Sequence, residues 1–77
     1  MLVKVSFFGP IRRPWKEMSR EVEVVKGTDV SQLMEQLGYS ESDMKKVAIV
    51  VNGQRIRSSA SLSEGDEVRV VLFAGGG

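Results

Sequence analysis

At 77 residues, 42% of them hydrophobic and 27% charged, the chain fits one small globular domain. It contains no cysteine and no histidine, which removes disulfides, thiolate metal sites, thiol nucleophiles and the commonest general base. A net charge of +1 with no long basic run argues against nucleic-acid binding, and no segment reaches the length needed to span a membrane.

Residues 2–8 alternate well enough to predict a strand, with Val3, Val5 and Phe7 on one face and Lys4, Ser6 and Phe8 on the other. The first ten residues lack the long apolar core and cleavage site of a signal peptide, which fits a cytoplasmic protein. Residues 9–19 carry both prolines and the single tryptophan, and are too long for a tight hairpin. Two readings of this loop stand side by side. Trp15 and Ile11 fold back as a lid on the core edge, or Arg12, Arg13 and Lys16 dock an acidic partner.

Residues 20–26 alternate charge and valine and predict a second strand, antiparallel to the first, with Val22 and Val24 inward. Asp29 follows as a helix N-cap, with Gln32 at the capping-box position. Val30, Leu33, Met34 and Leu37 then fall on one helical face, and Gly38 stands where the chain must leave the helix. The helix is expected over about 29–38. It is short and needs that apolar face packed on a sheet to persist. Residues 39–46 read as a polar link.

Residues 47–51 predict a third strand, and Asn52-Gly53 is a strong hairpin signal that favours a type I′ turn. Gln54 to Arg57 is the short return strand, followed by a serine-rich loop around Leu62. Glu64-Gly65-Asp66 reads as a turn before a last strand, Glu67 to Phe73. In that strand Val68, Val70 and Leu72 face one way, and Glu67, Arg69, Val71 and Phe73 the other. Val5, Val24, Leu33, Leu37, Ile49, Val68 and Val70 are the expected core.

The order β-β-α-β-β-β predicts an α+β domain, with one main helix on one face of a mixed sheet of four to five strands. The first and last strands are the most apolar and belong in the centre, side by side and parallel. That layout is the β-grasp, or ubiquitin-like, fold over residues 1–73, with 74–77 as a flexible glycine-rich tail.

With this strand order, Val51-Asn52-Gly53, Leu62 with Gly65-Asp66-Glu67-Val68, and a Gly-Gly ending, the chain resembles the ubiquitin-like sulfur carriers, the MoaD/ThiS family. These are the small subunit of molybdopterin synthase and the thiazole-synthesis sulfur carrier. The resemblance covers nearly the whole chain. It implies that a partner related to ubiquitin-activating enzymes, an E1-like adenylating enzyme, uses ATP to adenylate the terminal glycine carboxylate. Sulfur then replaces the adenylate, and a synthase large subunit or a thiazole synthase takes the thiocarboxylate. By position, Gly77 carries the reactive carbon and Gly76 is the second motif residue, with Ala74 and Gly75 leading to them. The long loop after the first strand is similar to the molybdopterin type, and the triple glycine to the thiazole type.

Elementary chemistry is compatible with that role. A glycine end has no Cβ and enters a narrow channel, and the Gly77 α-carboxylate, with a reference pKa of about 3.5, is ionised at neutral pH. Fixing tail residues costs about 1–2 kcal/mol each, so a carrier needs a separate docking face. Phe8, Ala48, Val50, Val71 and Phe73 all point away from the helix and supply a candidate. No catalytic residue, metal ligand or bound cofactor is expected: Glu64, Asp66 and Glu67 cluster at a turn without a base beside them. A protein modifier joined through Gly77 to lysines, and a plain binding module with a frayed end, remain alternatives to the carrier; neither nucleic acid nor membrane is an expected partner.

Overall fold

The computed structural model describes residues 1–9, 15–57 and 59–72. Five strands form one sheet: β1 (Leu2–Phe8), β2 (Ser19–Glu23), β3 (Val47–Val51), β4 (Gln54–Ile56) and β5 (Glu67–Leu72). Two helices, α1 (Val30–Gln36) and α2 (Glu41–Met44), lie between β2 and β3. The spatial order is β2-β1-β5-β3-β4. β1 and β5 sit side by side and parallel, and the other pairs are antiparallel. This is the β-grasp arrangement, and its central strands are the two that the apolar pattern places there.

Alternation fixes which residues reach the core. Val3, Val5 and Phe7 of β1, Val47, Ile49 and Val51 of β3, and Val68 and Val70 of β5 share one face and one apolar cluster with Val30, Leu33 and Met34 of α1. The helix is short but closed at its start: the Gln32 backbone N–H donates to Asp29 Oδ1 at 2.8 Å, and the Asp29 backbone N–H donates to Gln32 Oε1 at 3.0 Å. This reciprocal pair satisfies two donors that a helix start otherwise leaves open. Leu62 is buried beneath, and its N–H bonds to the Thr28 carbonyl while Val30 N–H bonds to the Ala60 carbonyl. The serine-rich loop is thereby tied to the entry of α1.

The structure differs from the sequence expectation in four places. β2 ends at Glu23 rather than at residue 26, because Thr28 N–H and Oγ1 both turn back to the Val25 carbonyl. Val24 is buried, Val25 swings out to solvent, and Val22 is half-buried as an edge-strand residue. α2 interrupts the expected polar link. It is a single turn started by its own capping box, with Asp43 N–H donating to Ser40 Oγ at 3.2 Å and Ser40 N–H to Asp43 Oδ2 at 2.9 Å.

Leu37 is the third difference. α1 ends at Gln36 with Leu37 as C-cap, and Gly38 follows at φ +94°. The side chain is half-buried against the core instead of inside it. Leu37→Ala is therefore expected to cost about 1–2 kcal/mol, below the ~2–5 kcal/mol of a fully buried leucine, as read by urea denaturation. The fourth is β4, which stops at Ile56 instead of Arg57.

Candidate functional site

The sheet face opposite α1 carries the expected docking residues. Phe8 on β1 pairs with Val71 on β5, and Val71 pairs in turn with Ala48 on β3. These three form a row across the three central strands, at the end where β5 gives way to the last five residues. Phe8 is 37% exposed and Val71 half-buried. Val50, two residues along β3 on the same face, is also half-buried. Ala48 shares the face by register yet is only 9% exposed, so it contributes little accessible surface. Phe73, Ala74, Gly75, Gly76 and Gly77 lie outside the described residues.

Gly9 sets how the chain leaves this row. At φ +87°, an added Cβ would stand 3.3 Å from the Leu72 carbonyl oxygen and 3.4 Å from Leu72 Cβ. A side chain there would press on the end of β5 at Leu72, and the positive φ favours glycine at this position.

The opposite end of the sheet is held by polar groups. Asn52, at φ +52°, and Gly53, at φ +84°, make the hairpin turn between β3 and β4. Asn52 Nδ2 donates to Asp66 Oδ1 at 2.9 Å, and Glu67 N–H donates to Asn52 Oδ1 at 3.0 Å. Asp66 Oδ2 accepts from Ser63 N–H at 2.7 Å, and Glu64 accepts from Leu2 N–H. Asp66 and Glu64 thus hold turns and strand ends together rather than forming a reactive cluster. Asn52→Ala removes two hydrogen bonds and leaves a Cβ residue at positive φ without the amide that favours it. It should lose about 2 kcal/mol, and Asn52→Gly less, in matched urea titrations.

A third grouping stands at the end of the helix face. The Phe7 ring meets Trp15 edge-on at 5.5 Å between centroids and stacks with Tyr39 at 5.7 Å. The Arg20 guanidinium lies 5.3 Å from the Trp15 centroid and bonds to Glu17 at 3.0 Å. A backbone hydrogen bond first, and the Arg20 partner second, hold the exposed Glu17 carboxyl below the usual carboxylate range. Trp15 thereby folds back onto the core edge. Lys16 is exposed, whereas Arg12 and Arg13 lie outside the described residues.

Nothing in the described part resembles a catalytic centre. A groove of about 390 Å³ beside α2 and β3 is lined by Ser31, Glu41, Met44, Lys45 and Arg55 among others. Among the described residues no three potential metal ligands come together. None of the described helices is long and apolar enough to cross a membrane.

Comparison with known proteins then decides the family. The ThiS family matches residues 5–77, nearly the entire chain. The chain belongs to the ThiS family. Within it, the chain is 36% identical over 80 aligned residues to the molybdopterin synthase sulfur carrier subunit of Mycobacterium tuberculosis, spanning 97% of this chain and 96% of that protein. A putative molybdopterin converting factor subunit 1 from Pyrococcus furiosus superposes with a TM-score of 0.75 at 26% identity, covering 92% of this chain and 95% of that one. A complex of subunits 1 and 2 of the molybdopterin-converting factor from Helicobacter pylori contains a chain that matches with a TM-score of 0.68 at 28% identity, over the full length of both.

Two features of this ThiS-family chain escape a reading by sequence. The aromatic stack joins residues 7, 15 and 39, which no short-range pattern connects. Arg55 and Arg69 flank Val50 across the outer face, and only the strand register brings them onto one row with it. Alternation within β5 does put Arg69 on the side of Val71, which was the available signal.

Proposed function

We propose that this protein is a sulfur carrier in molybdopterin biosynthesis, a protein cosubstrate rather than a catalyst. The observation that carries the reading is the 36% identity to a molybdopterin synthase sulfur carrier subunit, which runs the length of both chains. The β-grasp layout supports it. An adenylating partner joins the Gly77 carboxylate to the AMP moiety of ATP and releases pyrophosphate. Hydrosulfide, the sulfur source at the sulfide level, then attacks the acyl carbon, AMP leaves with the C–O bond's electron pair, a proton is lost to solvent, and the new C–S bond makes the end a thiocarboxylate. The chain itself holds no cofactor in this scheme; ATP belongs to the partner, and the cytoplasm is the compartment that supplies it.

The partners are an adenylating enzyme and the large subunit of the synthase. The neighbour from Helicobacter pylori, solved as a complex of two subunits, supports the second. Both would dock on the outer sheet face that carries Phe8, Val71 and Val50, while the tail delivers Gly77. The test is mass spectrometry of the intact protein after incubation with ATP, a sulfur source and the adenylating enzyme. Gain of one oxygen-to-sulfur exchange supports the carrier. Lysine-linked adducts without that species would identify a modifier instead.

A further inference from the structure

The outer sheet face is divided into zones by register. Nearest the tail is the apolar row of Phe8, Val71 and Ala48. Next comes a row in which Arg69 of β5 lies opposite Ser6 on one side and Val50 on the other, and Val50 lies opposite Arg55 of β4. Farther from the tail, Lys4 lies between Glu21 and Glu67. Lys4 thus has a carboxylate on each neighbouring strand, but Arg69 has a serine and a valine. Among the described residues Arg69 makes no ion pair, and it is exposed.

We infer that Arg69 makes this face selective for a partner protein whose apolar contact patch is bordered by carboxylates. The inference rests on the carrier reading for the identity of that partner. An arginine lays its aliphatic stem along apolar neighbours and presents a planar fork that takes a carboxylate through two parallel hydrogen bonds. Beside a half-buried valine on a central strand, that fork stands at the border of the apolar row, where an interface passes from its dry centre to its polar rim. The other possible occupants fit less well. A second copy laid face to face about a two-fold axis through this row would set arginine against arginine. An anionic lipid or nucleic-acid surface would meet Glu21 and Glu67 on the same face.

The test uses the purified synthase large subunit and the adenylating enzyme encoded by the same genome, titrated calorimetrically at low and high salt. Wild-type affinity should fall as salt rises, because charge pairs at an interface rim are screened. Arg69→Glu should weaken binding about 10-fold or more at low salt and remove most of the salt dependence. Arg69→Lys should act in the same direction but more mildly. Lys26→Glu makes the same change in net charge at an exposed residue of the β2–α1 loop, and should change affinity less than about 2-fold. Circular dichroism should be unaltered throughout.

An effect of Arg69→Glu no larger than that of Lys26→Glu, or wild-type affinity insensitive to salt, overturns the inference. Val71→Asp separates the possibilities. If it abolishes binding while Arg69→Glu does not, the face docks without charge selection, and the inference fails while the carrier reading stands. If wild type binds neither protein, the inference fails outright. Thiocarboxylation of wild type is scored independently by mass, so loss of the carrier reading is recognised on its own.

Discussion

A variant with one residue added after Gly77 should show no thiocarboxylate after incubation with ATP, a sulfur source and the adenylating enzyme, under conditions that convert wild type fully. The extension moves the carboxylate about 3.5 Å along the chain. A reacting group displaced by 1 Å can already cost about 10²-fold in rate, so a shift of a whole residue removes measurable activity. Gly76→Val should be nearly as damaging for a different reason: the carboxylate keeps its position, but a Cβ with two methyls must pass a channel that admits glycine. Both changes leave the sequence of the buried cluster of Val3, Val5, Phe7, Leu33, Val68 and Val70 intact, so the melting temperature should not move. Thiocarboxylation of the extended variant at the wild-type rate would sink the carrier reading, because no carboxylate other than the terminal one is proposed to react.

What could be read from the sequence follows the range of the interaction concerned. β1 and β3 were legible to the residue, since alternation and the flanking Gly9 and Asn52-Gly53 are all local. The start of α1 was legible because Asp29 and Gln32 complete their capping box within three residues. α2 uses the same device, Ser40 with Asp43, but a single turn has no apolar stripe to announce it. Leu37 was over-read as core because periodicity continues past the point where the backbone leaves the helix. Burial of Ala48 was equally out of reach: alternation gives the face of a side chain but not the height of its neighbours. For the candidate site, the outer face of Phe8, Val50 and Val71 came from alternation alone, while the arginines that border it needed the register between β5, β3 and β4.

The aromatic stack at the end of the helix face sets the second large effect. Phe7 is 2% exposed, and its ring touches Trp15 from the long loop and Tyr39 from the chain just after α1. Phe7→Ala removes the middle member of this stack, and the partners on either side are anchored in different segments that cannot close together over the gap. Truncation of a buried phenylalanine costs about 3–5 kcal/mol. Total stability for a domain of this kind is only about 5–15 kcal/mol, so the loss takes a large part of it. At about 4–8 °C per kcal/mol for a domain of this length, the melting temperature should fall by at least ~12 °C. Phe7→Leu keeps most of the apolar volume and should cost less than half as much. Trp15 is the single tryptophan, so its fluorescence reports on this cluster directly. In Phe7→Ala the emission should shift toward that of an exposed indole before the far-ultraviolet dichroism is lost on heating. In wild type the two signals should change together, as a small two-state domain requires. If Phe7→Ala melts within a few degrees of wild type with the two signals still coincident, the stack is not what holds the long loop to the core.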